Sequence, residues 1–414
     1  MGLCFGKTAT SPWPDLPPEL AAKSLARLLS HTDRLSFGAV CHDWRLAARQ
    51  QGLLLPPSMP WINIGSGAYM DLVGNGKARR FAAPEGYRAY ATFGSWVLYE
   101  HERSSRCFLA DPFSPSTPAI EVPCRYYSSD DTGDCTASMR FCKDDTFLTW
   151  PLKKMVVCSP HLVVATSAYN GTLKIACFRP SNETVDPTTL LWSEGDYSHG
   201  HQRHDWDFIY TDIAFHHGKV FALSLAENLF AFDLAIEEMS LSQTRSRVEH
   251  AIKEGPVVAA GAALDYDSHH LITSSDEQKL LMVRWQIPLL EDWTKFDHRM
   301  MDLQVFEADL QKGRWSEVKD LGDQALFVGQ TGSRALAVGG LSDQMFQGNR
   351  VFILGHDWAW FRPWCKCSGC KKLGYKAPSY CVYDMMSGEA TLVSLGGGHC
   401  SKESPNMAWF FPSG

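Results

Sequence analysis

Short runs rich in Val, Ile, Phe, Tyr and Trp fill the chain from Trp61 onward, and Gly, Asn, Asp and Ser separate them. Residues 219–224, 280–285 and 350–354 are clear examples. β-Branched and aromatic residues favour strands, and the intervening residues favour turns. Strands this short and this frequent predict an antiparallel all-β body, which is either a sandwich or a propeller.

A repeated pattern favours the propeller. Three alternating runs each end in an aspartate, at Asp233, Asp309 and Asp384, and a fainter copy ends at Asp111. Aspartate suits the first position of a turn, and a following glycine supplies the positive φ that many turns need. Repeated sheets bury their faces by stacking radially. We therefore predict a β-propeller of about five to six blades over residues 61–414, in which residues 407–411 close the ring against residues 61–64.

The first 60 residues read differently, as a small all-α module over residues 12–52. A flexible tail over residues 1–11 precedes it, and a linker over residues 53–60 follows it. Pro18 suits the first turn of a helix that runs to about Ser30. Residues 30–32 form a break, and Thr32 is a candidate N-cap for one continuous second helix that ends near Gln51.

A helical module of about 40 residues buries little area by itself. Leu16, Pro17 and Leu20 precede the apolar stripes of the helices, so we expect them to be exposed. The sequence pattern leaves two alternatives open. Either another protein covers these side chains, or the module packs on the body of its own chain.

The stretch from Trp13 to Arg49 resembles an F-box, because it combines Leu16-Pro17-Pro18-Glu19-Leu20 with Val40-Cys41 and Trp44-Arg45. In that family the module binds the Skp-type adaptor of a cullin-based ubiquitin ligase. The resemblance implies the following adaptor-contacting residues: Leu16, Pro17, Leu20, Leu28, Leu35, Val40, Cys41 and Trp44.

The body carries a second resemblance. Residues 212–223, 305–309 and 315–329 are similar to signature segments of plant F-box proteins with a KIB-type β-propeller. The resemblance implies a non-enzymatic receptor that presents a protein substrate to the ligase through its propeller. Two alternatives remain: a propeller that binds a ligand or catalyses a reaction, which a cluster of titratable groups in the central channel would favour, and a tether that sequesters its partner without ubiquitination.

Composition narrows the partners. Hydrophobic residues make up 45% of the chain and charged residues 21%, which is typical of a globular protein. The net charge of −7 argues against nucleic acid as the main partner. We find neither a long apolar run nor a complete myristoylation signal at Gly2, and therefore expect no membrane association. The 13 cysteines without a secretion signal fit a reducing compartment, so we expect the cytoplasm, the nucleus or both.

The chemical motifs are weak. Cys365, Cys367 and Cys370 are faint candidates for zinc, with Cys381, Cys400, His356 or His399 as a possible fourth ligand, but a second C-x-x-C pair is missing. The histidine-rich stretch at residues 199–207 lacks the spacing of a zinc helix. We find no phosphate-binding loop, nucleophile elbow or metalloprotease motif. We accordingly expect no metal, no cofactor and no catalytic residue.

Overall fold

The structure is a computed structural model. It describes residues 16–51, 55–65, 67–73, 78–104, 106–114, 116–123, 125–127, 149–159, 162–169, 172–178, 189–192, 210–233, 248–256, 264–288, 301–339, 341, 345–354, 379–395 and 407–413. The predicted tail over residues 1–11 lies outside the described residues.

Three helices precede the strands. They are α1 (Pro18–Ala26), α2 (His31–Ala39) and α3 (His42–Gln51). Pro18 occupies the first turn of α1, where a missing N–H costs nothing. The prediction of one helix from Thr32 to Gln51 was wrong, because the chain breaks at Val40 and Cys41.

The ends of α2 explain this correction. Its N-cap is Ser30, not Thr32, and the Ser30 hydroxyl accepts a hydrogen bond of 3.3 Å from the Asp33 amide. After the break, the Cys41 carbonyl accepts the Arg45 amide at 3.1 Å and starts α3. Sequence periodicity placed the residues around the break on one helical face; Phe37 and Trp44 still stack on each other across the break, whereas Val40 is exposed.

The strands form six sheets in the described part of the chain. Sheet 1 begins with β1 (Trp61–Gly65), β2 (Ala68–Asp71) and β3 (Ala78–Arg80). Sheet 2 contains β4 (Tyr87–Phe93), β5 (Trp96–His101), β6 (Arg106–Ala110) and β7 (Ile120–Pro123). Sheet 3 contains β8 (Arg125–Tyr127), β9 (Thr149–Ser159), β10 (Leu162–Tyr169), β11 (Thr172–Phe178) and β12 (Thr189–Trp192).

The second half of the chain continues the series. Sheet 4 contains β13 (Tyr210–His216), β14 (Lys219–Ser224), β15 (Leu229–Asp233) and β16 (Val248–Ile252). Sheet 5 contains β17 (Leu264–Thr273), β18 (Leu280–Pro288), β19 (Asp302–Asp309) and β20 (Arg314–Val318). Sheet 6 contains β21 (Gln324–Gly329), β22 (Arg334–Ala337), β23 (Arg350–Leu354), β24 (Ser379–Asp384) and β25 (Glu389–Ser394), and the chain ends with β26 (Ala408–Phe410).

Strand β26 closes the ring. It pairs antiparallel with β1, with Trp61 opposite Phe410 and Asn63 opposite Ala408, so sheet 1 has the order β26-β1-β2-β3. The predicted closure of residues 407–411 against residues 61–64 is therefore confirmed. Sheet 6 departs from the simple meander, because β21 pairs in parallel with β23 and antiparallel with β22.

The core lies between the sheets. Six buried apolar clusters each join two consecutive sheets, and the last of them joins sheet 6 to sheet 1. Strand β14 shows how: Val220 and Ala222 face sheet 3, whereas Phe221 and Leu223 face sheet 5. Because successive side chains of a strand point to opposite faces, each central strand feeds two clusters. The predicted all-β propeller with a small helical module in front of it is confirmed.

Three of the repeated aspartates cap the turns that follow β6, β19 and β24, as predicted, and the turn after Asp233 lies outside the described residues. The carboxylate of Asp309 accepts the amide of Lys312 at 3.0 Å, and that of Asp384 accepts the amide of Met386 at 2.9 Å. Asp111 accepts the amide of Phe113 at 2.9 Å. Gly388 follows Asp384 with a φ of 71°, a conformation that glycine adopts without strain.

Candidate functional site

The loop between α1 and α2 fixes the helical module to the propeller. Ser30 Oγ donates to Asp71 Oδ2 at 2.5 Å, and the Leu29 carbonyl accepts the amide of Met59 at 3.0 Å. Met59 is fully buried between sheets 1 and 6. The segment predicted as a linker over residues 53–60 thus includes a packed residue at its end, and the module is held on sheet 1 rather than tethered to it.

The contact between the α1–α2 loop and sheet 1 is called the seam below, and His31 lies at its centre. It is 4% exposed and makes edge contacts with Trp61 and Phe113, at centroid distances of 6.2 and 4.3 Å. Neither of its ring nitrogens has a hydrogen-bond partner among the described residues. Burial, together with Arg34, lowers the pKa of His31 from 6.5 to about 4, although Asp111 acts in the opposite direction. At neutral pH the seam therefore holds an uncharged imidazole.

The helical module also exposes apolar side chains. They include Leu20 at 48%, Leu35 at 53%, Val40 at 56% and Leu46 at 45%. Leu20, Leu35 and Leu46 lie on α1, α2 and α3, and Val40 lies in the break between α2 and α3. Pro17 is also exposed. We call Pro17, Leu20, Leu35, Val40 and Leu46 the exposed apolar set.

The remaining predicted contact residues lie inside or at the edge of the module. Leu16, Leu28 and Trp44 are half-buried and pack around a small core of Ala21, Leu25, Phe37 and Ala47. Trp44 stacks on Phe37 with a centroid distance of 4.4 Å. Cys41 is also half-buried. The expectation that Leu16 is exposed was wrong, whereas Pro17 and Leu20 are exposed, and periodicity missed Leu46 because it lies off the apolar stripe.

The innermost strands carry a buried ion pair. Lys154 on β9 donates to Asp212 on β13 at 2.6 Å, and both side chains are at least 94% buried. The other carboxylate oxygen of Asp212 accepts the amide of Leu271 on β17 at 2.8 Å, and the Ile213 amide donates to the first oxygen. Asp212 therefore joins three consecutive sheets, and its oxygens are occupied by donors within the protein.

A second buried pair joins sheets 4 and 5. Glu227 lies in the turn after β14. Each of its two carboxylate oxygens accepts a hydrogen bond from the Arg284 guanidinium on β18, at 2.9 and 3.0 Å. His269 Nε2 lies 2.9 Å from the same carboxylate. A ligand-binding propeller would need a cluster of titratable groups, and the two buried ion pairs are candidates for it. The carboxylates of Asp212 and Glu227, however, already accept hydrogen bonds from donors within the protein. The geometry supports a role in joining sheets.

Most of the weak zinc candidates lie outside the described residues. Cys365, Cys367 and Cys370 lie outside them, as does the histidine-rich stretch at residues 199–207. Cys381 on β24 is fully buried between sheets 5 and 6, and burial raises the pKa of its thiol to about 12. A buried thiol of this kind packs as a small apolar side chain. Within the described part of the chain, no cluster of three potential metal ligands occurs.

The fold and its radial cores define a β-propeller protein with a docked helical module. The model of the KIB1-4 β-propeller family matches residues 69–384, and the chain belongs to this family. No helix in the described ranges is both long and apolar enough to cross a bilayer.

Comparison with the curated proteins finds no match. Solved structures give distant fold likenesses. Kluyveromyces lactis Hsv2 is 9% identical with a TM-score of 0.29, covering 80% of this chain and 92% of that chain. A structural-genomics protein of unknown function from Bacteroides thetaiotaomicron is 10% identical with a TM-score of 0.26, covering 81% and 76%. At these scores the likenesses carry no functional argument.

Proposed function

We propose that this protein is a non-catalytic substrate receptor of a Skp–cullin–F-box ubiquitin ligase. The helical module binds the Skp-type adaptor, and the propeller binds a protein substrate. The observation that carries the proposal is the exposed apolar set, which a module already docked on its own propeller still leaves uncovered. Apolar side chains exposed on all three short helices are typical of a protein-binding surface.

The way in which the seam holds the module on the propeller also supports the proposal. The two alternatives for the module, packing on its own chain and binding a partner, are compatible, because different surfaces would serve them. Residues 29–32 contact the propeller, whereas Leu20, Leu35 and Val40 face away from their own core. A module fixed in this way sets the distance between adaptor and substrate, which a flexible tether does not.

A pull-down of the Skp-type adaptor by the full chain tests the first contact. We expect Leu20→Ser combined with Leu35→Ser to weaken adaptor binding at least tenfold, since truncating central apolar anchors of an interface commonly costs more than 1 kcal/mol each. Leu310→Ser is the matched control, because Leu310 is 41% exposed in the propeller turn after β19. Equal adaptor binding by the double variant and the control contradicts the proposal.

The alternative of a sequestering tether predicts a different half-life of the captured partner from that predicted for a ligase receptor. Overproduction of a ligase receptor shortens the half-life of the captured partner in a proteasome-dependent manner. A sequestering protein leaves that half-life unchanged while still binding the adaptor. Proximity labelling with and without proteasome inhibition supplies the partners on which to measure it, and partners enriched by inhibition support the ligase role.

A further inference from the structure

Several turns meet at one end of the ring. The Phe411 amide donates to the Gly94 carbonyl in the turn between β4 and β5 at 2.9 Å. A Cβ atom on Gly332, in the turn between β21 and β22, would lie 3.1 Å from the Gly94 amide nitrogen. Thr273, at the end of β17, donates to the Phe215 carbonyl near the end of β13 at 3.4 Å. We call the region around these turns and Phe411 the axial mouth.

Arg334 projects a positive charge into the axial mouth. Its guanidinium carbon lies 5.9 Å from the centre of the Phe411 ring. Within the described part of the chain, its guanidinium makes no hydrogen bond and has no carboxylate within 4.0 Å. An exposed guanidinium that lies beside an aromatic ring and has no carboxylate next to it keeps its N–H donors available to an anion.

Arg334 is exposed to solvent beside the Phe411 ring. Burial lowers the pKa of its guanidinium, and Glu277 acts in the opposite direction. An arginine side chain stays charged at neutral pH, so the axial mouth presents an accessible positive charge.

Two other features of the axial mouth bear on its ligand. Thr331 Oγ1 is buried in the same turn as Gly332 and has no partner among the described residues. Glu277, in the turn between β17 and β18, lies near enough to influence both Arg334 and His216 electrostatically. Glu277 and His217 adopt positive φ values of 59° and 46°, which are uncommon for residues other than glycine.

We infer that the axial mouth binds an oxyanion of an acidic peptide segment, with the Arg334 guanidinium as the primary ligand and the Thr331 hydroxyl as a second donor. Arginine pairs with the two oxygens of a carboxylate or a phosphate through parallel N–H donors. Glu277 opposes the incoming charge and limits the affinity. The site is separate from the helical module, so a test of oxyanion binding does not depend on whether the module binds the adaptor.

Titration of the full chain with two fluorescent peptides tests the site. Both are acetylated glycine-serine peptides, one with a central phosphoserine and the other with glutamate in its place, measured by anisotropy. We expect Arg334→Gln to weaken binding of the preferred peptide about tenfold, which corresponds to roughly 1.4 kcal/mol for one charge-assisted contact. Glu277→Gln removes the opposing charge and is expected to tighten binding several-fold.

Arg103→Gln is the matched control, because Arg103 is an exposed arginine in the turn between β5 and β6. It is expected to leave binding unchanged. Tighter binding of the phosphoserine peptide identifies a phosphorylated segment as the source of the oxyanion, and tighter binding of the glutamate peptide identifies a carboxylate. Failure of the wild-type chain to bind either peptide, or an equal loss in the Arg334 and Arg103 variants, overturns the inference.

Discussion

Replacing Asp212 with asparagine tests how the propeller is held together at its axis. The substitution keeps the shape of the side chain and an amide oxygen that can still accept a backbone hydrogen bond. It removes the negative charge that faces Lys154, whose ammonium lies 2.6 Å away and 94% buried. The ammonium then stays inside the protein without a countercharge.

The expected loss of unfolding free energy is about 3–5 kcal/mol, the usual cost of removing one partner of a buried ion pair. Removing the proton of an ordinary lysine at pH 7 costs about 4–5 kcal/mol. This cost is the upper bound on the expected loss of unfolding free energy. The double variant Lys154→Met with Asp212→Asn removes both charges, so it should recover at least about 2 kcal/mol relative to the single variant. This recovery is the signature of charge burial as opposed to general disruption.

Urea denaturation of the full chain, followed by tryptophan fluorescence, measures both effects. The control is Glu121→Gln, whose carboxylate pairs with Arg106 at 3.1 Å with both side chains at least 70% exposed. An exposed pair of this kind contributes at most about 1 kcal/mol. The reasoning is refuted if Asp212→Asn costs no more than this control, or if the double variant is less stable than the single one.

Two further predictions concern the seam and the ring closure. The pKa of His31 is about 4 in the folded protein, whereas an unperturbed histidine titrates near 6.5, so the unfolded chain binds more protons between these values. Stability should fall by about 2–3 kcal/mol as the pH drops from 7 to 4.5, and His31→Phe should flatten this slope in urea titrations. Trp409 is fully buried and donates to the Val328 carbonyl at 2.8 Å. Trp409→Ala should cost about 3–5 kcal/mol in thermal unfolding, and the control Met386→Ala, at a side chain 72% exposed, should cost little.

Much of the fold could be predicted from the sequence because its local signals agree with the tertiary structure. The Asp384 turn illustrates this: alternation specifies β24, the carboxylate caps the turn, and Gly388 supplies the positive φ. The break at Val40 could not be predicted. The pattern from Phe37 to Trp44 fits a continuous helix equally well, and contacts between α2 and α3 select the broken form.

The candidate sites depended more heavily on tertiary structure. Pro17 and Leu20 were expected on the surface and are found there, whereas Leu16 packs against the module core. The exposure of Leu46 carried no sequence signal. Arg334 and Glu277 are 57 positions apart along the chain, and only the packing of sheet 6 beside sheet 5 brings them close enough to interact electrostatically.

The sequence by itself determined the elements: short strands with alternating side chains, capped turns, and an apolar helical module at the front. These properties arise from interactions between residues close together in the chain. Only the tertiary structure decided which surfaces remain available. Docking through His31 left Leu20 and Leu35 uncovered, and the packing of consecutive sheets buried Lys154 with Asp212 and placed Arg334 beside Phe411. Burial and pairing depend on contacts between distant segments, which the order of residues alone does not specify.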